Sequence, residues 1–314
     1  MTDTEDGPFN AEQKNRVLEA FERHFNPKDE LQYFDPYLSA IGPPTRNPRT
    51  TGGYKLWPDE AHPRKPDLTL MTIGNSTSLW PAYPWSLELA QDLSDPDYLV
   101  ELWHGAGKGN TSSQELMRVL RDAPVIKPDL IISLSGICDI GYLLNAPAHP
   151  YLHKYTRKVL DFALEAGIVT RKLVYGPPDS SSPAEVWCRN QRFARLLAEE
   201  LGIKLLTLLQ PVQGYGNYPQ SPAEKEFYES KAKVVLKGAN KTYGEAVQDF
   251  YTEVKSIIAA RPEAYSHVVD ITDVFDDCPG AYRDHRHQSP LGSTHLAKKI
   301  LPLARQVIAK GSTS

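Results

Sequence analysis

Short apolar runs, each closed by glycine or small polar residues, alternate along this chain with segments whose apolar positions recur at helical spacing. The first is residues 68–79, LTLMTIGNSTSL, where only Thr69 and Thr72 interrupt the apolar residues ahead of Gly74-Asn75-Ser76. Such a run suits a strand buried on both faces of a parallel sheet, and glycine permits the sharp turn needed at its carboxyl end. Further strands are predicted at Tyr98–Trp103, Asp129–Leu134, Ile203–Leu209 and around Val268, Val269 and Ile271. Helical patterns lie between them. Trp85, Leu87, Leu89, Ala90 and Leu93 mark one, residues 113–122 a second, and 183–201 a third with Val186, Phe193, Leu196, Leu197 and Leu201 on its inward face. Residues 222–260 hold more helix, and a last helix runs from His295 to Ile308. Five strands alternating with helices predict a doubly wound, mainly parallel α/β sheet. The glycine-containing loops after the first three strands then share one sheet edge, where such folds bind ligands.

Ahead of this pattern, residues 10–25 predict a short amphipathic helix carrying Val17, Leu18, Phe21 and Phe25. Residues 34–67 are rich in Pro and Gly, and they are expected to form an irregular arm pinned by Tyr33, Phe34, Tyr37, Tyr54 and Trp57. The expected division is an arm over 1–65 and a main domain over 66–314. An insertion at about 140–182 carries helix near 155–166.

Composition narrows the choice of partner. The 314 residues are 40% hydrophobic with a net charge of -4, so no basic excess recommends nucleic acid or an anionic membrane. No run reaches the ~18 apolar residues of a membrane span. The three cysteines, Cys138, Cys188 and Cys278, are odd in number and widely spaced, which fits a reducing compartment. With the acidic, polar start MTDTEDGPFNAEQ, the expectation is a soluble cytoplasmic protein acting on a small molecule.

Three places carry candidate chemistry. Ser76 stands just past a strand end, as either a helix N-cap or a nucleophile. The glycine-rich stretch from His104 to Gln114 has Gly-Lys-Gly where a phosphate loop needs Gly-Lys-Ser or Gly-Lys-Thr, and it lacks GxGxxG spacing. A strand-to-helix turn with outward N–H groups is expected there instead, and no cofactor. Asp284 and His287 stand three apart just before the last helix. An imidazole can take a hydroxyl proton while a carboxylate fixes its tautomer, and these are the partners Ser76 needs. His149 and His153 read as loop surface rather than a metal pair, since no third ligand stands beside them. His285, between Arg283 and Arg286, reads as a surface residue rather than a zinc ligand.

The ordered set Gly74-Asn75-Ser76, Gly109, Gly136-Ile137-Cys138-Asp139 and Asp284 with His287 resembles the SGNH hydrolase superfamily, or GDSL esterases and lipases, over about residues 66–310. The resemblance implies a three-layer α/β/α sandwich with a five-stranded flavodoxin-like sheet. It makes Ser76 the nucleophile, His287 the general base and Asp284 its orienter, with the Ser76 and Gly109 N–H groups as oxyanion donors and Cys138 at the position of a third. Asn75, Asp139 and Tyr215, the last in a Gly-, Tyr- and Pro-containing loop at 210–220, are expected to face substrate. Two departures stand out. Asn75 occupies the place of an Asp, and Cys138 that of the Asn whose side chain donates to the oxyanion. A thiol donates far more weakly, and losing one such donor costs about 10²- to 10³-fold in rate. Cys138 also reads as a buried, inert apolar residue, which is favoured, or as a second nucleophile, for which nothing in the sequence indicates a depressed pKa. The expected function is a serine-dependent ester hydrolase or acyl transferase for a small polar or glycosylated substrate. The alternative is a binding or regulatory protein in which Cys138 marks decayed catalysis.

Overall fold

A computed structural model of the chain describes residues 11–24, 35, 50–61, 63–79, 84–144, 149–169 and 179–310. The main sheet is built from β1 (Thr50–Thr51), β2 (Tyr54–Trp57), β3 (Leu68–Gly74), β4 (Val100–His104), β5 (Leu130–Ser135), β6 (Lys204–Leu209) and β9 (Val268–Asp270), while β7 (Val235–Leu236) and β8 (Lys241–Thr242) form a separate hairpin. Strand order is β1-β2-β4-β3-β5-β6-β9. From β4 to β9 every pairing is parallel. Counted in chain order, those five strands run 2-1-3-4-5, the flavodoxin order, whose switch point lies between β3 and β5.

Nine helices are described: α1 (Ala11–His24), α2 (Ser76–Leu79), α3 (Trp85–Leu93), α4 (Ser112–Ile126), α5 (Lys154–Glu165), α6 (Pro183–Glu200), α7 (Pro222–Ala232), α8 (Tyr243–Ala260) and α9 (Pro290–Ala309). Side chains along a strand alternate between faces, which sorts the core into layers. Leu68 and Leu70 of β3 pack with α3 and α9, and Met71 and Ile73 with α4 and α6. The chain therefore has the three-layer α/β/α fold that the resemblance to SGNH hydrolases implies. Among the described residues, no helix is long and apolar enough to cross a membrane.

Three expectations are corrected. Residues 54–57 are not part of an irregular arm but a strand paired antiparallel with β4 on one side and with β1 on the other, with Tyr54 and Leu56 buried and Lys55 exposed between them. Tyr33, Phe34, Tyr37, and Pro177 within the insertion lie outside the described residues. Phe193 and Leu196 of α6 and Leu201 at its C-cap are exposed, and the helix buries Ala184, Val186, Trp187, Cys188, Asn190, Gln191, Ala194 and Ala198. Two amides hold those positions inward: Asn190 donates to the Ser112 and Ser113 hydroxyls at 2.9 and 3.1 Å, and Gln191 accepts from Thr207 at 3.0 Å. Finally, α4 continues past Asp122 through Pro124 to Ile126. A proline there frees only the Leu120 carbonyl, on a residue that is 53% exposed and open to water.

Candidate active site

The turn after β3 is shaped by close approach. A Cβ at Gly74 would stand 2.8 Å from both the Leu134 carbonyl oxygen and the Ser78 hydroxyl, so no side chain fits. Asn75 follows and caps α2: its side-chain oxygen accepts from the Thr77 N–H at 2.9 Å and its carbonyl from the Ser78 N–H at 3.0 Å. Its amide donates to Gln210 Oε1 at 2.7 Å across the sheet edge. With the cap supplied by Asn75, Ser76 becomes the first helical residue and its hydroxyl is released from capping.

That hydroxyl meets His287. Ser76 Oγ lies 2.9 Å from His287 Nε2, and His287 Nδ1 lies 2.7 Å from Asp284 Oδ2. The loop delivering the pair is closed at both ends by a Tyr282–Gln288 bridge and by Ser289 N–H donating to the Ala281 carbonyl at 2.7 Å. Ser289 also caps α9 through the Gly292 N–H, with Pro290 in the first turn. Gln213 holds the Asp284 carbonyl at 2.8 Å and is itself held by Gln220. Burial by itself raises a carboxyl pKa. Here the His287 ring and the Arg286 and His287 N–H groups outweigh it, and hold Asp284 well below the ordinary carboxylate range. A carboxylate only accepts, so the bond between them assigns a proton to His287 Nδ1 and leaves the Nε2 lone pair for the Ser76 hydroxyl.

The second loop lies against the first. Gly107 N–H and the Asn110 amide both donate to the Gly74 carbonyl, at 3.0 and 3.3 Å. Gly109 adopts φ +71°, a conformation natural to glycine, just before the Thr111–Gln114 capping box that opens α4. Among the described residues its N–H has no acceptor.

Other expected residues stand elsewhere. Asn75 is fully buried with both amide ends engaged, so it braces the turn instead of facing substrate. Asp139 is also fully buried, accepting from the N–H and hydroxyl of Ser112 at the start of α4, where a negative charge suits the helix dipole. The half-buried Tyr215 stacks on Tyr251 at 4.9 Å, under the Lys255 ammonium. Cys138 is 7% exposed and packs in an apolar cluster with Ile137, Leu209, Val212 and Tyr251. His153 is buried rather than on the loop surface. His285, half-buried, lies edge-on to Tyr243, and burial together with the Arg286 charge pushes its pKa down to about 4. Among the described residues no group of three or more His, Cys, Asp or Glu side chains is placed to hold a metal. Gln210 and Gln213 are supports that sequence reasoning missed; their signal was position, as the first polar groups past the apolar run of β6.

No protein-family model matches the chain, and no curated protein matches it. Among solved structures it is similar to Axe2, an acetylxylan esterase from Geobacillus stearothermophilus, at 17% identity and a TM-score of 0.46, covering 76% of this chain and 94% of that one. It is also similar to an acetyl xylan esterase, AlAXEase, at 13% identity and a TM-score of 0.45, covering 75% and 99%.

Proposed function

We propose that the chain is an SGNH-type serine ester hydrolase or acyl transferase that works through an acyl-Ser76 intermediate on a small polar or glycosylated substrate. The observation that supports this reading is the unbroken row from Ser76 Oγ through the His287 ring to Asp284, at 2.9 and 2.7 Å. His287 takes the hydroxyl proton as Ser76 attacks the ester carbonyl, and Asp284 stabilises the imidazolium that forms. The oxyanion develops at the start of α2, where the Ser76 and Gly109 N–H groups serve as donors. The proton then passes to the leaving alcohol, and water or an acceptor hydroxyl or amine resolves the acyl-enzyme by the reverse steps. A cytoplasmic location and a substrate like those of the acetylxylan esterases belong to the same proposal.

The second reading, a scaffold that binds without catalysis, is favoured by the packing of Cys138 into an apolar cluster where an oxyanion donor is expected. The two separate in one experiment. A fluorophosphonate label, located by mass spectrometry, should attach to Ser76 in the wild type and be lost in Ser76→Ala. Absence of any Ser76 adduct between about pH 6 and 9, where an ordinary imidazole passes from partly charged to neutral, would favour the binding protein. With acetyl, aryl and sugar esters, Ser76→Ala should lower kcat by roughly 10⁴-fold or more.

A further inference from the structure

Arg286 stands between His285 and His287 in the loop before α9, and the chemistry described so far uses only its main chain. Its N–H donates to Asp284 Oδ1 at 3.0 Å, while Asp284 Oδ2 meets the His287 ring at 2.7 Å. The residue is half-buried, yet its guanidinium makes no ion pair among the described residues. Nε is enclosed and has no acceptor; the two terminal nitrogens are open to solvent and also unbonded. A guanidinium withdrawn in part from water is normally paired, because the lost hydration must be replaced.

A second cation lies on the same flank. Lys231 Nζ, near the end of α7, is 5.6 Å from the centre of the buried Tyr243 ring, which the His285 ring meets edge-on at 5.5 Å. Lys231 likewise has no ion pair among the described residues. Both charges oppose protonation of His285, and the Arg286 charge works against the rise that burial gives the Tyr243 phenol. Tyr243 also interacts with Cys138 and Asp284, so these cations sit on the side of the catalytic row that leads toward Cys138. The charges acting most strongly on the two rings are thus two cations against one carboxylate, and that carboxylate is already engaged by His287. One positive charge is in excess. The chain as a whole carries -4, so the excess is local.

A substrate attacked by Ser76 lies against the His287 ring, next in sequence to Arg286. During attack that ring becomes an imidazolium, which an uncompensated cation nearby would oppose. A substrate bringing one negative charge removes the conflict. We infer that Arg286 is a specificity-determining residue whose guanidinium receives a carboxylate carried by the substrate, with Lys231 adding attraction at longer range. The fork of N–H groups on a guanidinium matches a carboxylate in geometry. A doubly charged phosphate would exceed the local excess and be repelled by Asp284. That the carboxylate belongs to an ester rests on the hydrolase reading; that Arg286 attracts it does not.

The test uses two pairs of rigid esters, each differing by one methyl group and one charge. In 4-acetoxybenzoate and its methyl ester the charge is on the alcohol side; in phenyl hydrogen terephthalate and its methyl ester it is on the acyl side. Ligand-observed NMR against Ser76→Ala protein at low salt reads binding without turnover. In one pair the acid should bind about tenfold or more tighter than its methyl ester, the worth of a hydrogen bond to a charged group. Adding Arg286→Gln should abolish that preference, and Arg286→Lys, which keeps the charge without the fork, should retain part of it. Equal affinity within both pairs, or a preference that survives Arg286→Gln, would overturn the inference. Tighter binding of 4-acetoxyphenyl phosphate than of 4-acetoxybenzoate would overturn the choice of carboxylate. With Ser76 intact, Arg286→Gln should lower the acid-to-ester ratio of kcat/KM about tenfold; the ratio cancels any loss common to both substrates. Absence of fluorophosphonate labelling at Ser76 would overturn the hydrolase reading and leave the binding preference standing.

Discussion

The turns after β3 and β5 begin alike, with a glycine against a neighbouring strand or side chain, yet they put their polar residues to different uses. At the first, Asn75 takes the capping duty and is buried, which frees Ser76 at the sheet edge to meet His287. At the second, Cys138 turns into an apolar cluster and Asp139 is consumed in holding α4 through Ser112. The difference teaches that a strand-end turn becomes reactive only when a neighbour satisfies the backbone in place of the reactive residue. The second turn is structural, and its contribution to the site is to hold the sheet edge in place.

The sharpest way to break this comparison is to disable the partner of the first turn. Asp284→Asn should lower kcat by about 10⁴-fold, because an amide in place of the carboxylate no longer imposes the Nδ1–H tautomer. Steady-state ester hydrolysis measures this, and a loss below tenfold would disconnect Asp284 from the chemistry. Next in size, Cys138→Asn should raise hydrolysis by about tenfold if the thiol merely occupies a donor's place. A fall in rate would assign the thiol a role of its own. Asn75→Ala and Asp139→Ala should each cost about 1–3 kcal/mol in urea denaturation, since each strands buried donors. On the proposed function, Asn75→Ala should also lower kcat, because only its turn carries Ser76.

The smallest effect concerns Glu115, buried beneath the second turn with Ser133 hydrogen-bonded to it. Burial, together with the nearby Asp139 charge, raises its pKa to about 8. Its folded pKa therefore exceeds the unfolded value near 4.5. The folded state alone holds the proton between these limits, so stability falls as pH rises from about 4.5 to 8 and levels off above. Glu115→Gln should remove that decline, so the variant gains on the wild type across the window in denaturation series at several pH values. Parallel curves would show that Glu115 ionises freely.

Much of this was legible before any coordinates. Short apolar runs marked the five parallel strands, and the glycine-closed loops placed three turns on one edge. Residue chemistry alone nominated Ser76, Asp284 and His287, because few side-chain sets can activate a hydroxyl. The strand at 54–57 was missed: a Pro- and Gly-rich setting masked its alternation, although Tyr54-Lys-Leu-Trp carries it. The α6 face was misread for a different reason. Counting only apolar residues cannot find a buried stripe that contains Asn190 and Gln191, whose amides are inward only because Ser112, Ser113 and Thr207 await them.

Sequence by itself therefore determined the layered fold and nominated the three side chains that the structure brings into one hydrogen-bonded row, since both follow from local patterns and from chemistry intrinsic to side chains. Tertiary structure alone decided which polar groups face the edge and which are spent inside. Asn75, Cys138 and Asp139 look like site residues in the chain. Their roles were set by partners far away in sequence, because a buried polar group takes its orientation from whatever completes its hydrogen bonds.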